Sequence, residues 1–281
     1  MKIMDGFSCA NARNLVLKET ISDFIKKGYR EPCLAILQVG DNEASNSYIK
    51  SKLKASSLVG IKALHIKYEN SVSYELLYEK INELNNNGNI DGIIVQLPLP
   101  PHLDEFKLLS AINYEKDVDG FNIYNNGLLF QKREGIRPAT PQGILNILSD
   151  YNIKIQGSKV VVIGRSNIVG FPISKMLLDL NATVTVCHSK TKNIKQYTKY
   201  ADIIVVAIGK PKFLTSDMVK KGCVVIDVGI NRVNDKLIGD VDYENVSLKC
   251  SYITPVPKGI GPMTVNALLE NTFTLYKKHN I

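Results

Sequence analysis

Residues 159–170 read KVVVIGRSNIVG, and this stretch decides the class of fold. A short apolar run that ends at a glycine is typical of a strand buried on both faces of a parallel sheet. A glycine turn between such a strand and a helix lets backbone N–H groups and the helix dipole receive a phosphate. The turn departs from the full G-x-G-x-x-G pattern, and glycine can also serve only the tightness of a turn. We therefore expect a Rossmann-like βα unit and treat its nucleotide site as a hypothesis.

Strand and helix patterns alternate on both sides of this stretch. Before it, we predict helices over 8–27, 43–59 and 73–86 and strands over 33–39, 62–68 and 92–97. From it onward, we predict helices over 141–151, 168–180, 192–199 and 263–279 and strands over 158–163, 182–187, 202–206 and 223–228. Residues 113–140 contain no long periodic element and are a candidate crossover. The alternation predicts parallel sheets covered by helices, in two domains.

Composition favours an ordinary globular protein with small anionic ligands. The 281 residues are 44% hydrophobic, and 35 basic against 27 acidic residues give a net charge of +8 that is spread along the chain. This spread favours small anions over nucleic acid. No apolar run approaches the roughly 18 residues of a membrane helix. The first residues lack a signal-peptide pattern, so we expect a cytoplasmic protein.

Cysteine and histidine positions argue against a metal or disulfide framework. The five cysteines are far apart and never form C-x-x-C, so we expect reduced thiols. The four histidines are scattered, and neither a catalytic triad nor a metal cluster can be assembled from them. We expect no essential metal.

The end of the strand over 182–187 favours NADP over NAD. An NAD site usually presents an acidic residue here to the ribose 2′-hydroxyl, but this chain reads CHSKTK over 187–192. Ser189, the neighbouring lysines and Arg165 would instead suit a 2′-phosphate, because arginine offers it a charged fork. The alternative is a solvated Ser/Lys loop.

Candidate chemistry in the first half of the chain lies on one predicted helix and one strand end. Tyr48 and Lys52 are four residues apart and share a helix face, although such pairs are also common on exposed helices. Gln96 ends a buried strand, where ligands of open α/β sheets gather. Asp117 and Asp119 lie in the crossover and could equally form or cap a turn.

These residues belong to blocks that together resemble one family, the bifunctional methylenetetrahydrofolate dehydrogenase/cyclohydrolases. The blocks occur in the family's order over nearly the whole chain: 39–45, 48–52, 96–100, 116–121, 164–170, 227–231, and 254–257 with 261–264. One block would be weak support, but the ordered set is specific.

The resemblance implies two α/β domains with the active site in the cleft between them. An N-terminal catalytic domain over 1–139 would bind folate, with the C-terminal helix 263–281 packing back on it, and 140–262 would form a Rossmann-like NADP-binding domain. Tyr48 and Lys52 become the catalytic pair, Gln96 positions the lysine, and Asp119 holds the pterin. The residues at NADP-binding positions are Gly164, Arg165, Ser166, Ser189 and Ile230.

Two departures from the family pattern concern neighbouring loops. The family usually has cysteine where this chain has Ala139, so no thiol can be assigned a role there. The proline-rich loop usually continues with two glycines, whereas here it reads Pro257-Lys258-Gly259. The departure adds a positive charge and a side chain to that loop.

The implied activity is NADP-dependent oxidation of 5,10-methylenetetrahydrofolate to the methenyl cation, followed by its hydrolysis to 10-formyltetrahydrofolate. The family also suggests a homodimer. Two alternatives remain open: an NADP dehydrogenase of another small substrate, of the quinate or shikimate type, and an NADP-binding regulator without catalysis. Rossmann domains host many functions, so the fold alone does not choose among them.

Replacing Arg165 by alanine should weaken NADP binding by about 1.5–3 kcal/mol, the range for a charge-assisted hydrogen bond. NAD binding should change much less, because NAD lacks the 2′-phosphate. Calorimetric titration with both cofactors measures the difference. Equal losses for NADP and NAD would contradict a 2′-phosphate role for Arg165.

Overall fold

The computed structural model describes residues 1–234 and 236–280. Its strands are β1 (Lys2–Ile3), β2 (Cys33–Val39), β3 (Lys62–Tyr68), β4 (Gly92–Val95), β5 (Lys159–Ile163), β6 (Thr183–Cys187), β7 (Ile203–Val206), β8 (Val224–Asp227), β9 (Asn231–Val233), β10 (Lys236–Ile238) and β11 (Tyr252–Ile253). Its α-helices are α1 (Gly6–Lys26), α2 (Glu43–Val59), α3 (Tyr74–Asn86), α4 (Glu105–Ala111), α5 (Ile123–Phe130), α6 (Ala139–Asp150), α7 (Gly170–Asp179), α8 (Lys195–Thr198), α9 (Tyr243–Ser247) and α10 (Ile260–Asn280).

The chain divides into two compact units, and each unit contains one end of the chain in addition to its main segment. Residues 11–139 and 265–280 form the three-stranded unit, and residues 1–10 and 140–264 form the six-stranded unit. The domain bounds 1–139 and 140–262 stay a prediction, but in the structure residues 1–10 group with the six-stranded unit. The reason is that β1 pairs in parallel with β11, which places Lys2 opposite Tyr252.

The three-stranded unit has a parallel sheet in the order β3-β2-β4. Every residue of the central strand β2 is buried. Alternate residues of β2 enter two apolar clusters: Ile36 packs in a cluster with residues of α2 and α10, and Leu37 packs in one with residues of α3 and α4. Burial on both faces explains the uninterrupted apolar run that predicted this strand.

A loop segment continues this sheet beyond β4. Ile93 N donates to Lys116 O at 2.7 Å, and Ile93 forms a parallel bridge with Asp117. The chain therefore runs beside β4 in the same direction at residues 116–117. This direction carries Asp119 toward the carboxyl end of the sheet, where Gln96 follows β4.

The six-stranded unit has a parallel sheet in the order β1-β11-β8-β7-β5-β6. The strand predicted from residues 159–163 is β5, and it lies between β6 and β7. The chain leaves β5 for β6 on one side and later returns on the other side at β7. Such a reversal of strand order marks the place where open α/β sheets bind ligands.

The crossover contains a helix that the sequence pattern missed. Residues 113–140 were expected to lack a long periodic element, and they include α5, which the side chain of Asn122 caps by accepting from Tyr124 N at 2.8 Å. The apolar residues Ile123 and Phe130 at its ends are exposed. The helix therefore lacks the one-sided apolar stripe by which periodicity is recognised.

The loop with the family departure at Lys258 has a left-handed backbone at that residue. Lys258 has φ 78°, and its carbonyl accepts from Phe7 N at 3.1 Å. A residue with a Cβ adopts this conformation at a cost of roughly 1–2 kcal/mol. Glycine would adopt it without that cost, which accounts physically for glycine in the family's version of the loop.

Lys258→Gly should raise the free energy of unfolding by about 0.5–1 kcal/mol. The gain is smaller than the conformational cost because glycine also gives the unfolded chain more freedom. Chemical denaturation followed by circular dichroism measures the change. Lys258→Ala is the control, since it removes the charge but keeps the Cβ, and an equal gain in that variant would contradict the backbone explanation.

Candidate active site

Lys52 is a lysine enclosed in the interior of the three-stranded unit. It lies on α2, and its residue is only 6% exposed. Its Nζ donates a hydrogen bond to Gln96 Oε1 at 3.0 Å. The side chain that accepts a hydrogen bond from the buried amine is therefore a neutral amide.

Gln96 is held in one orientation by its neighbours. Its backbone N donates to Leu37 O at 2.8 Å, which extends the pairing with β2 one residue past the end of β4. Its Nε2 donates to Leu97 O at 2.8 Å. Because the amide nitrogen is engaged there, the amide oxygen is the atom that faces Lys52.

Asp119 follows a loop that is folded around Asp117. The Asp117 carboxylate is buried and accepts from Gly120 N, Asn122 N and the Asn125 side chain at 2.8–3.0 Å. These donors engage Asp117 in the loop. Asp119 is half-buried and close enough to Lys52 for their charges to interact.

Burial and charge act in opposite directions on the Lys52–Asp119 pair. Burial lowers the pKa of the Lys52 amine below its ordinary value, and the negative charge of Asp119 opposes that change. Burial raises the pKa of Asp119, and the positive charge of Lys52 opposes that increase. Since neither charge is fully hydrated, the proton on Lys52 is held less firmly than on a lysine in water.

Tyr48 lies one helical turn before Lys52 on α2, so the two side chains share a helix face. Tyr48 is half-buried, and burial raises the pKa of its phenol. The phenol therefore keeps its proton near neutral pH and can donate a hydrogen bond. The structure thus brings Lys52, Gln96 and Asp119 together, with Tyr48 on the adjoining turn.

A polar side chain that the sequence pattern did not single out fixes the start of α2. Gln38 is buried, and its Nε2 donates to Asn46 Oδ1 at 2.6 Å. Its Oε1 lies 2.9 Å from His65 Nε2. A lone amide in the otherwise apolar strand β2 was the available signal, because a buried amide needs partners.

The glycine turn of the six-stranded unit forms hydrogen bonds within itself. Gly164 follows β5 with φ 126°, and a Cβ there would lie 2.3 Å from Ala207 O. Ser166 Oγ accepts from Val169 N and Gly170 N at 3.2 and 3.3 Å. Two backbone amides of this turn are therefore already hydrogen-bonded within the turn itself.

The other predicted cofactor residues lie after neighbouring strands. Gly164 N donates to Cys187 O at 2.9 Å, which sets the glycine turn beside the loop that carries Ser189. Ile230 follows β8, two strands away from β5. Arg165, Ser189 and Ile230 are all exposed.

This donor set fits a phosphorylated dinucleotide. The exposed guanidinium of Arg165 and the hydroxyl of Ser189 follow adjacent strands, and residues 187–192 contain no carboxylate that would repel a phosphate. The amino end of α7 adds a positive dipole next to the turn.

Among the described residues, no group of three or more His, Cys, Asp or Glu side chains is arranged to hold a metal ion. Over the same part of the chain, no helix is long and apolar enough to span a membrane.

The strand order of the six-stranded unit and the glycine turn after β5 define a dinucleotide-binding α/β protein. The family follows from sequence comparison. Residues 4–119 match the catalytic-domain model of tetrahydrofolate dehydrogenase/cyclohydrolase, and residues 138–280 match its NAD(P)-binding-domain model. The chain belongs to this family.

Relatives match over nearly their whole length. The bifunctional protein FolD of Acholeplasma laidlawii is 54% identical, with 98% of each chain covered. The crystal structure of the bifunctional FolD enzyme from Campylobacter jejuni superposes with a TM-score of 0.96 at 48% identity, covering 99% of each chain. The Trypanosoma brucei dehydrogenase-cyclohydrolase, solved with NADP and an inhibitor, gives 0.95 at 36% identity, covering 99% of this chain and 97% of that one.

Asp119→Asn should lower the pKa of Lys52 further, because it removes a nearby negative charge that favours the protonated amine. NMR titration of the Lys52 side-chain carbon next to the amine measures this pKa. Asp104→Asn is the control, since Asp104 is an exposed acid of the same unit. An unchanged Lys52 pKa in Asp119→Asn would contradict the charge interaction.

Proposed function

We propose that this chain oxidises 5,10-methylenetetrahydrofolate with NADP and hydrolyses the resulting 5,10-methenyltetrahydrofolate to 10-formyltetrahydrofolate. The observation that carries the proposal is the buried Lys52 amine, which donates a hydrogen bond to Gln96. It occurs in a chain that matches both domain models of the family. Burial lowers the pKa of this amine, so it gives up and takes back a proton more readily than a lysine in water.

Arg165 and Ser189 would bind the 2′-phosphate of NADP, while Gly164, Ser166 and Ile230 would line the rest of the dinucleotide site. Arginine suits this task because its planar fork meets two phosphate oxygens at once. When bound, NADP accepts the hydride that the methylene carbon loses. The part of the protein in that reaction is to orient the reactants and exclude water.

Lys52 would carry the proton transfers of the hydrolysis. A neutral amine has two N–H groups and one lone pair, and Gln96 Oε1 accepts from one of the N–H groups. The lone pair is then available to take a proton as a water oxygen bonds to the methenyl carbon. Lys52 returns that proton to the ring nitrogen as the carbon–nitrogen bond breaks, and the hydroxyl on the one-carbon unit releases its own proton to water, which leaves the neutral formyl product.

The neighbouring side chains would tune this proton. Asp119 accepts hydrogen bonds from the amino-pyrimidine edge of the pterin, and its charge limits how far the pKa of Lys52 falls. Tyr48 keeps its phenolic proton and donates a hydrogen bond on the same helix face. Gln96 positions the amine without adding a charge that would fix its proton.

The family resemblance also favours a homodimer in the cytoplasm. Sedimentation equilibrium of the purified protein tests the dimer, and a mass of one chain at micromolar concentration would contradict it.

The direct test supplies methylenetetrahydrofolate and NADP and follows the absorbance of the methenyl product, then its decay. Formation followed by decay supports both activities. Tight NADP binding without turnover would instead indicate a non-catalytic regulator. Turnover of a different small substrate, with none of methylenetetrahydrofolate, would indicate another dehydrogenase.

Lys52→Met should reduce hydrolysis of supplied methenyltetrahydrofolate by roughly 10²-fold or more, the usual contribution of a positioned proton-transfer group. The dehydrogenase should fall less, because hydride transfer depends mainly on orientation. The measurement is the ratio of the two rates in the purified variant, with circular dichroism to verify folding.

Lys54→Met is the matched control, since Lys54 is exposed on the same helix. It should leave both rates within a factor of about two. Hydrolysis by Lys52→Met within about threefold of the unmodified protein would exclude a base role for Lys52. A dehydrogenase lost to the same extent would instead make Lys52 a substrate-positioning residue for both steps.

A further inference from the structure

A single buried carboxylate gathers the loop that follows β7. Asp240 is fully buried. Its Oδ2 accepts from Ile208 N and Gly209 N at 2.8 and 3.0 Å, and its Oδ1 accepts from Lys210 N at 2.7 Å. Three consecutive amides therefore converge on one side chain, which fixes the path of the backbone over 208–210.

The same carboxylate also holds the segment that follows β8. Asn231 Nδ2 donates to Asp240 Oδ1 at 3.0 Å and to Ile238 O at 3.2 Å. Asn231 directly follows Ile230. Asp240 thus links the loops at the carboxyl ends of two neighbouring strands through one pair of oxygens.

A second buried carboxylate fixes Asp240 in turn. Asp227 accepts from Asp240 N at 2.9 Å and from Val241 N at 3.0 Å. The two carboxylates also pack directly against glycines, where a larger residue would not fit. A Cβ at Gly229 would lie 2.1 Å from the Asp240 carboxylate, and a Cβ at Gly239 would lie 1.8 Å from Asp227 Oδ2. The arrangement leaves Asp240 little freedom to move.

The loop that Asp240 fixes borders the reversal of strand order. β5 and β7 are neighbours in the sheet, and their chains continue to opposite sides. Gly164 after β5 approaches Ala207 after β7 so closely that a Cβ would lie 2.3 Å from Ala207 O. Since dinucleotides bind outside the carboxyl ends of the strands at this point, the loop 207–210 forms one wall of that place.

We propose that Asp240 is a positioning residue for NADP, and that its carboxylate holds the 208–210 loop and the Ile230–Asn231 segment in the arrangement that binds the dinucleotide. The proposal rests on the NADP-dependent function proposed above. Asp240 acts through the backbone and makes no contact with the cofactor itself. A carboxylate is needed because all four groups that meet its oxygens are donors, and an amide would turn its own N–H₂ group toward two of them.

Asp240→Asn should raise the dissociation constant for NADP at least tenfold in calorimetric titration of the full-length protein. Amides 208–210 should also exchange their hydrogens faster, because they lose acceptors. Hydrolysis of supplied methenyltetrahydrofolate should stay within about twofold, since it uses no NADP and Lys52 lies in the other unit. A variant that was merely unstable would lose both activities together.

Asp242→Asn is the matched control, because the Asp242 side chain accepts from Asn245 Nδ2 on its own short helix. It should leave NADP binding within twofold. If Asp240→Asn exchanges amides 208–210 faster yet binds NADP as tightly as the unmodified protein, the proposal is overturned. An unmodified protein that fails to bind NADP would overturn the proposed function instead.

Asn231→Ala decides the question if Asp240→Asn does not fold. It removes one of the four donors to Asp240 and leaves the three amides in place. NADP binding should weaken about threefold, with hydrolysis unchanged. Unchanged NADP binding in Asn231→Ala would overturn the proposal.

Discussion

A primary amine enclosed in a protein interior holds its proton only as firmly as nearby groups compensate for lost water, and the chemistry of the three-stranded unit depends on this constraint. Lys52 meets an amide oxygen at hydrogen-bond distance and a carboxylate that acts through charge. A carboxylate in the place of Gln96 would form a direct ion pair and hold the proton on the amine. The neutral amide orients the amine and leaves its protonation adjustable.

Both sheets place their polar side chains at the carboxyl ends for the same reason. Strands buried on both faces, such as β2, have little room for polar groups along their length. Where they end, backbone amides need acceptors without access to water. Asp117 supplies such an acceptor in the three-stranded unit and Asp240 in the six-stranded unit. Buried carboxylates thus shape the loops that present the side chains of the two candidate sites.

Sequence patterns predicted the elements that have a strong apolar signal. Buried strands such as β2 and β5 and the helix α2 have the bounds expected from apolar runs and a terminal glycine to within a residue. Tyr48 and Lys52 were placed on one helix face, and Gln96 at a strand end. These predictions succeeded because they depend on residues adjacent in the chain.

Features that depend on distant pairing left little trace in the sequence. The two-residue strand β1 exists because it pairs with β11, some 250 residues away. The hydrogen bond between Lys52 and Gln96 joins residues 44 positions apart, so residue spacing could not reveal it and only the family resemblance implied it. The hydroxyl of Ser166 accepts from two amides of its own turn, Val169 N and Gly170 N. Only the folded turn shows that engagement.

The exchange of chain ends between the units sets how the protein can be divided. A fragment that stops at residue 139 would retain Leu17 and Ile21 on α1 but lose Phe273 and Tyr276 of α10, which share their apolar cluster. A fragment that begins at residue 140 would lack β1 and leave the edge of β11 without its partner. Exposed apolar surface and an open strand edge both promote aggregation. A separable dinucleotide-binding module therefore requires residues 1–10 to be joined to 140–264 through a new linker. Cutting the chain at a single position does not yield that module.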